Sequence, residues 1–167
     1  MKKNVSINSF TKEELHKYVL DLGEKKYRAK QLWKWLYVNG AKSFNEMSDI
    51  GLKLQEKLNS DLLYSRLQTD QHQVSKDGTQ KWLFKLTDDK KIETVFIPES
   101  DRGTLCISSQ VGCTLSCSFC HTGTMPLVRN LSSNEIIGQI LAAKDSLLDW
   151  DMKNRKITNI VFMGMGE

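Results

Sequence analysis

The apolar residues in the first third of the chain recur with helical spacing. A capping box at residues 11–14 predicts the start of a helix, and Gly23 is typical of a helix end. Further helices are predicted over 27–38, where apolar residues form a stripe, and over 52–62. These elements predict a compact helical module, which we assign to residues 1–70.

From about His72 the pattern changes to an alternation of apolar and polar residues. Strands are predicted over 80–86 and 92–97, and the Asp-Gly pair at 77–78 is typical of a hairpin turn. The simplest arrangement is a three-stranded β-meander. We assign it to residues 71–103, as a segment that links the helical module to the last third of the chain.

The last third combines a strand, a helix and a second strand. A short strand is predicted over 104–109, a capping box at 132–135 opens a long helix, and the run 157–163 is typical of a buried parallel strand. This order predicts a βαβ unit with chemistry at the carboxyl end of its first strand. Because a parallel sheet of two strands has exposed edges, we expect residues 104–167 to begin a larger domain. The chain is then a fragment of a longer protein, or it depends on a partner.

Composition narrows the class of protein without indicating a function. Hydrophobic residues make up 40% and charged residues 26% of the chain, as in ordinary soluble proteins, and the net charge of +4 does not imply nucleic acid. No apolar run approaches the roughly 20 residues of a membrane span. Residues 1–6 lead into no apolar stretch of a secretory signal. We therefore expect a cytoplasmic protein with reduced thiols and no membrane association.

Three of the four cysteines lie within eight residues, at Cys113, Cys117 and Cys120. Three thiolates can bind three irons of a 4Fe–4S cluster and leave the fourth iron open to a small cofactor. A structural zinc site is the main alternative, although its fourth ligand could come only from His121 or Cys106 nearby. Inert thiols are a third interpretation.

The second predicted helix interleaves basic and aromatic residues. Residues 25–37 contain five basic side chains and no acidic one. Because cations neutralise phosphate and aromatic rings stack on unpaired bases, RNA contact is one hypothesis. Its candidate residues are Lys26, Arg28, Lys30, Lys34 and Trp35. The alternative is a helix with core tryptophans and solvated lysines.

Five segments share one family likeness: 27–33, 108–113, 129–131, 135–139 and 159–167. They resemble the RlmN/Cfr group of radical S-adenosylmethionine RNA methyltransferases. The resemblance covers essentially the whole chain and is closer to the RlmN branch, which methylates C-2 of an adenosine in large-subunit rRNA and in tRNA. It implies an α/β fold in which residues 104–167 begin a radical-SAM (β/α) barrel that is incomplete here.

The resemblance also implies roles for cofactor-binding residues. Cys113, Cys117 and Cys120 would ligate the 4Fe–4S cluster. S-adenosylmethionine would bind the open iron and be cleaved on reduction to methionine and a 5′-deoxyadenosyl radical. Gly166 and Glu167 match the segment that contacts the methionine end of this cofactor. An external, flavodoxin-like electron donor is implied, and the full-length enzyme is expected to be a monomer.

Two further residues match the family's chemistry of base methylation. Glu93 corresponds to the residue assigned as proton acceptor in the family. Such a base is required because a methyl group added to an aromatic carbon leaves a proton to remove. Cys106 corresponds to the thiol that resolves an RNA–enzyme adduct by forming a disulfide. Without the resemblance, a solvated strand carboxylate and a buried small hydrophobe are the simpler interpretations.

The family also uses a cysteine near its C-terminus, which first receives the methyl group as methylcysteine. The four cysteines here have other assignments, and none lies beyond Cys120. We therefore expect these 167 residues to be inactive as a methyltransferase on their own. Two alternatives stay open: another radical S-adenosylmethionine enzyme that acts on a small molecule, and a zinc-stabilised RNA-binding module.

Overall fold

The chain forms two compact units, residues 1–66 and 67–167, each with its own hydrophobic core. The computed structural model describes residues 5–115 and 117–166. No helix in these described ranges is long and apolar enough to cross a membrane. The meander predicted over 71–103 lies in the second unit and is part of its sheet.

The described part of the first unit contains three α-helices: α1 Lys12–Asp21, α2 Tyr27–Tyr37 and α3 Leu52–Asp61. The capping box predicted for α1 is present. Thr11 Oγ1 accepts a hydrogen bond from Glu14 N (3.1 Å), and Glu14 Oε2 accepts one from Thr11 N (2.8 Å). These bonds satisfy two backbone amides near the helix start, and the three helix predictions are confirmed to within a residue or two.

The apolar faces of these helices bury a common core. Leu15 of α1, Leu32 and Leu36 of α2 and Leu58 of α3 are almost completely inaccessible to solvent. Burial of one such side chain contributes roughly 1.5–3 kcal/mol, before the cost of ordering the chain. The helical stripe seen in the sequence is therefore the side of α2 that faces the core.

The described part of the second unit contains seven strands: β1 Gln68–Val74, β2 Gln80–Lys85, β3 Lys91–Pro98, β4 Gly103–Cys106, β5 Gln110–Val111, β6 Arg129–Asn130 and β7 Asn159–Val161. Five strands form one sheet in the order β1-β2-β3-β4-β7, and β5 pairs with β6 in a separate ribbon. The pairs from β1 to β4 are antiparallel, whereas β4 and β7 are parallel. The α/β class is confirmed, and the meander and the βαβ unit share one mixed sheet.

One face of this sheet is covered by a single helix, α4 (Ser133–Leu147). The helix begins at the predicted capping box, formed by Ser132 and Glu135. Trp82 of β2 is fully buried beneath it, and its indole Nε1 donates a hydrogen bond to Ser146 Oγ (3.0 Å). A buried tryptophan thus keeps its one polar atom satisfied.

Two strand predictions were too long. β4 ends at Cys106, and β7 has three residues instead of the predicted seven. Beyond β4 the backbone of Ser108 bonds to the side chain of Gln139: Oε1 accepts from Ser108 N (2.8 Å) and Nε2 donates to Ser108 O (2.9 Å). At Ser108 the side chain of Gln139 makes the backbone hydrogen bonds that a neighbouring strand would otherwise make, so the regular strand pairing ends there.

Candidate metal and cofactor site

The three clustered cysteines lie on one loop between β5 and β6. These strands pair antiparallel, with Val111 opposite Arg129, and so hold the two ends of the loop together. Gly112 has φ +79°, and a side chain there would collide with the backbone of Pro126. The entry to the loop therefore requires glycine.

Hydrogen bonds within the loop fold it back on itself. Cys113 N donates to Met125 O (3.3 Å), and Cys120 N donates to Cys117 O (3.1 Å). Leu115 N points to Cys113 Sγ at 3.3 Å. An amide directed at a ligand sulfur is one means by which proteins adjust the reduction potential of a cluster.

The arrangement of the thiols bears on the kind of metal site. All three are half-buried, and none of the described cysteines is in a disulfide. Within 5–115 and 117–166, no three His, Cys, Asp or Glu side chains converge where one metal ion could bind them. Thiolates bind both zinc ions and 4Fe–4S clusters. In a cluster each cysteine would bind its own iron, so three cysteines on one loop could supply ligands for three irons.

Arg129 connects the exit of the loop to the start of α4. Its guanidinium donates to both carboxylate oxygens of Glu135 (2.8 and 2.9 Å) and to Asp88 Oδ2 (2.9 Å). Burial acts to raise the pKa of Glu135, but hydrogen bonds from Arg129 and Ser132 outweigh it and hold that pKa below its usual value. The hydrogen bond from Arg129 also lowers the pKa of Asp88. An ionised Glu135 therefore fastens β6 to the helix cap.

Ser108 joins several segments just before the cysteine loop. It is fully buried; its hydroxyl donates to Glu93 O (2.7 Å) and accepts from Met165 N (3.0 Å). Gln139, which holds the backbone of Ser108, also accepts from Thr94 Oγ1 (2.9 Å). One serine thus connects β3, α4 and the segment after β7.

The segment after β7 runs beside the start of the cysteine loop. Ser109 N and Gln110 N donate to Met165 O (2.8 and 3.1 Å), and Ser109 Oγ donates to Gly166 O (2.6 Å). Gly166 has φ +90°, and a side chain there would collide with that of Gln110. This predicted cofactor contact therefore lies next to the strand that leads into the cysteine loop. Glu167, the other predicted contact, lies outside the described residues.

Glu93 and Cys106 share the face of the sheet that lies opposite α4. Val95 pairs with Cys106, and residues two apart on a strand point to the same side, so Glu93 shares this face. Glu93 is not simply solvated, because Lys81 Nζ of β2 lies 3.1 Å from its Oε1. The structure thus brings a carboxylate, an ammonium group and a thiol onto one surface.

An open cavity of about 570 Å³ adjoins Cys106 on this face. Its walls come from β3, β4 and β7 and include Ile97, Thr104 and Val161. Cys106 is half-buried. Its side chain borders a space that a ligand can enter.

The predicted RNA contacts of α2 divide into two groups. Arg28 and Trp35 are held by Asp49: Arg28 Nη1 donates to its backbone oxygen (2.8 Å), and Trp35 Nε1 donates to its carboxylate. These bonds fasten α2 to the segment before α3. The remaining predicted contacts are exposed: Lys26, Lys30 and Lys34. Only this second group presents cations to solvent.

Several residues of this arrangement had no role predicted from the sequence, among them Ser108, Gln139 and Lys81. The position of Gln139 could have indicated its role, because an amide among the apolar residues of a predicted helix needs buried hydrogen-bond partners. Ser108 is one of two adjacent serines before Cys113, and the sequence alone does not distinguish it from Ser109. Lys81 could be paired with Glu93 only once the strand register was known.

Comparisons with known proteins place these features in a family. Residues 5–63 match the family model described as the ribosomal RNA large subunit methyltransferase N-terminal domain. Relatives named dual-specificity RNA methyltransferase RlmN come from Rhodospirillum rubrum (48% identical over 166 residues) and Magnetococcus marinus (49% over 164), and the matches cover 98% of this chain. The chain belongs to the RlmN family. It spans 39% and 45% of the lengths of these two RlmN relatives.

A solved structure agrees with the RlmN assignment. The crystal structure of a radical SAM methyltransferase from Sphaerobacter thermophilus matches with a TM-score of 0.86 and 37% sequence identity. The match covers 98% of this chain and 48% of that protein. The likeness therefore includes both units of the chain.

Proposed function

We propose that this chain is the cluster-binding and RNA-binding part of a radical S-adenosylmethionine methyltransferase. The substrate of the whole enzyme is an adenosine of large-subunit rRNA and of tRNA, methylated at C-2. The names of the relatives support the RNA methyltransferase class, and the choice of C-2 rests on the resemblance of the sequence motifs to the RlmN branch. The proposed cluster ligands are Cys113, Cys117 and Cys120.

The observation that carries this proposal is the juxtaposition of the cysteine loop with the glycine-containing segment after β7. Both follow the carboxyl ends of neighbouring parallel strands, where ligands of α/β sheets bind. Ser108 and Ser109 bond the two segments directly. Gly166 would therefore contact a cofactor bound at the open iron of the cluster, as the family resemblance implies, while Glu167 stays a predicted contact outside the described residues.

Each group has a separate chemical task in this proposal. When bound and reduced, the cluster supplies the electron that cleaves S-adenosylmethionine. Glu93 accepts the proton that leaves the methylated adenine carbon, and Lys81 Nζ, 3.1 Å from its Oε1, orients the carboxylate. The proton acceptor thus lies on the strand next to β4, which leads to the cysteine loop.

Cys106 has a task in product release. Its thiolate would attack the sulfur that carries the RNA adduct, so that a disulfide forms as the carbon–sulfur bond breaks; the electron pair of that bond stays with the methylene carbon, which takes up a proton and becomes the methyl group. The cavity beside Cys106 leaves room for this approach. The partner sulfur belongs to the methyl-carrying cysteine of the longer enzyme.

The helical unit has the task of contacting RNA. The exposed Lys26, Lys30 and Lys34 supply positive charge for phosphate groups. Arg28 and Trp35, which Asp49 holds, keep α2 in place. RNA affinity that falls steeply with salt separates this function from a radical enzyme of small-molecule substrates.

Anaerobic reconstitution with iron and sulfide tests the proposal. We expect a brown protein with about four irons and four sulfides per chain. Replacement of Cys113, Cys117 or Cys120 by alanine should remove most of the iron. The matched control is Cys106→Ala, which should retain the full iron content because this thiol is not a ligand.

Two results would contradict the cluster assignment. One is uptake of stoichiometric zinc with no uptake of iron. The other is an iron content that does not change when Cys117 is replaced. Either result would leave a folded RNA-binding protein without radical chemistry.

A further inference from the structure

An open groove of about 440 Å³ runs between α1 and α2 of the helical unit. Its size is within the range of ligand sites, on the order of 300–1,000 Å³. The side chains that define its chemistry are Lys12, Leu15, His16, Ala29, Lys30 and Trp33. Leu15 and Ala29 are buried and form an apolar floor.

Trp33 forms an aromatic wall of this groove. The ring is half-buried, and Tyr37 supports it at a centroid distance of 4.5 Å. Trp33 and Trp35 belong to different faces of α2, since the Trp35 indole is bonded to Asp49 and does not line the groove. Trp33 is therefore the tryptophan of α2 that is available to a ligand in this groove.

A lysine of the chain itself lies over the Trp33 ring. Lys12 Nζ lies 5.1 Å from the centroid of the Trp33 ring. A cation–π contact of an exposed lysine is worth about 0.5–1 kcal/mol, so a flat ring can displace it readily. Once displaced, the same ammonium group is within reach of the backbone of the incoming ligand.

The positive charge around the groove favours an anionic ligand. Lys12 and Lys30 lie on opposite sides of it, and the exposed Lys26 and Lys34 extend the positive charge along α2. Within the described lining the acidic side chain is Glu13, in the first turn of α1, where a carboxylate favours the helix dipole. His16 Nε2 lies 3.1 Å from the Lys26 carbonyl oxygen and joins the two walls.

We infer that this groove binds one unstacked nucleobase of single-stranded RNA. The base stacks on Trp33 above the apolar floor, and Lys12 and Lys30 contact the flanking phosphates. The groove should tolerate any sequence, because every base offers a flat ring. The inference rests on the proposed RNA function and moves the aromatic contact from Trp35 to Trp33.

Binding of a labelled, unpaired RNA of about ten nucleotides to the whole chain tests the inference, with anisotropy measured at several salt concentrations. Trp33→Leu retains an apolar side chain for the core and should weaken binding about tenfold without changing the salt dependence. Lys12→Gln and Lys30→Gln should each weaken binding severalfold and reduce the slope of log affinity against log salt by about 0.7.

Two matched controls make the test specific. Tyr27→Leu removes an exposed ring of α2 that does not line the groove, and Lys53→Gln removes an exposed charge of α3; both should bind as the unaltered chain does. Circular dichroism of each variant confirms that the helices are retained. Equal affinity of Trp33→Leu and the unaltered chain overturns the groove but leaves RNA binding by the lysines intact. A chain that assembles its cluster yet binds no RNA overturns the groove and the RNA function together, while the cluster assignment stands.

Discussion

At the scale of the residue, buried polar atoms decide how the site is assembled. Ser108 has a hydroxyl that both donates and accepts, and Gln139 uses its amide oxygen and nitrogen on the backbone of Ser108. A buried polar group costs free energy unless it is paired, and here each pairing joins separate segments. The position of the cysteine loop therefore depends on side chains that do not ligate anything.

Ser108→Ala should destabilise the second unit because Met165 N would lose its hydrogen-bond acceptor in a buried place. We expect a loss of about 1–3 kcal/mol in the free energy of unfolding, measured with urea. Amide exchange at Met165 should become faster. The control is Ser100→Ala, an exposed serine, for which a change within about 0.5 kcal/mol is expected. Equal stability of the two variants would mean that the Ser108 bonds contribute nothing.

Gly166→Ala should weaken the binding of S-adenosylmethionine to reconstituted protein. The left-handed backbone at this position costs about 1–2 kcal/mol for a residue with a side chain, and the new methyl group would displace Gln110. Equilibrium dialysis measures the affinity. Gly51→Ala is the matched control, since Gly51 has φ −61° and open space around it. If both variants bind the cofactor equally well, Gly166 has no role in its site.

At the scale of the element, the cysteine loop is held by the β5–β6 ribbon and by the N-terminus of α4. Arg129 belongs to the ribbon and Glu135 to the helix, so their bidentate pair joins the two elements. The Glu135 side chain is only 11% exposed, whereas that of Arg129 is 33% exposed, so removal of Arg129 would leave a mostly covered carboxylate without its cation. The loop geometry is therefore sensitive to a residue outside the loop.

Arg129→Met should lower the free energy of unfolding at neutral pH by roughly 2 kcal/mol, because Glu135 would lose its cation. In the unaltered protein the pKa of Glu135 is lowered, so its stabilising contribution is present above the unfolded-state pKa and is lost as the pH falls through the folded-state pKa. Removing Arg129 takes away a hydrogen bond that lowers this pKa and leaves burial to raise it, so the acid-dependent loss of stability should become smaller in the variant.

Arg102→Met is the control for this prediction. Arg102 pairs with Glu99 at 2.8 Å, but both side chains are exposed, so a change of at most about 1 kcal/mol is expected. Urea unfolding between acidic and neutral pH measures both variants. An identical pH dependence of Arg129→Met and the unaltered protein would contradict the role given to the pair.

At the scale of the whole molecule, we propose that the two units, which have separate cores, have separate tasks: the first contacts RNA and the second binds the cofactors. Because binding stabilises the structure that makes the contacts, cluster assembly should protect the second unit. Hydrogen exchange before and after reconstitution should slow at residues 107–115, 117–131 and 164–166. Exchange in α1, α2 and α3 should be unchanged. Protection confined to the helical unit would contradict this division.

The same two units show how far the sequence could predict the structure. The helices were predicted because capping boxes and apolar stripes are local signals, and the cysteine motif was recognised because its spacing is local too. The single sheet that combines the meander with the βαβ unit was not predicted, because it depends on β4 pairing with β3 on one side and with β7 on the other. The pairs Lys81–Glu93 and Arg129–Asp88 also depend on register and packing, which no short segment encodes.

The central claim is that three cysteines hold a cluster whose fourth iron binds S-adenosylmethionine. Mössbauer spectroscopy of protein reconstituted with ⁵⁷Fe tests it directly, before and after addition of this cofactor. We predict that about one quarter of the iron signal shifts on addition, because one iron lacks a cysteine ligand. A spectrum in which no iron responds, from protein with a complete cluster, would contradict the claim.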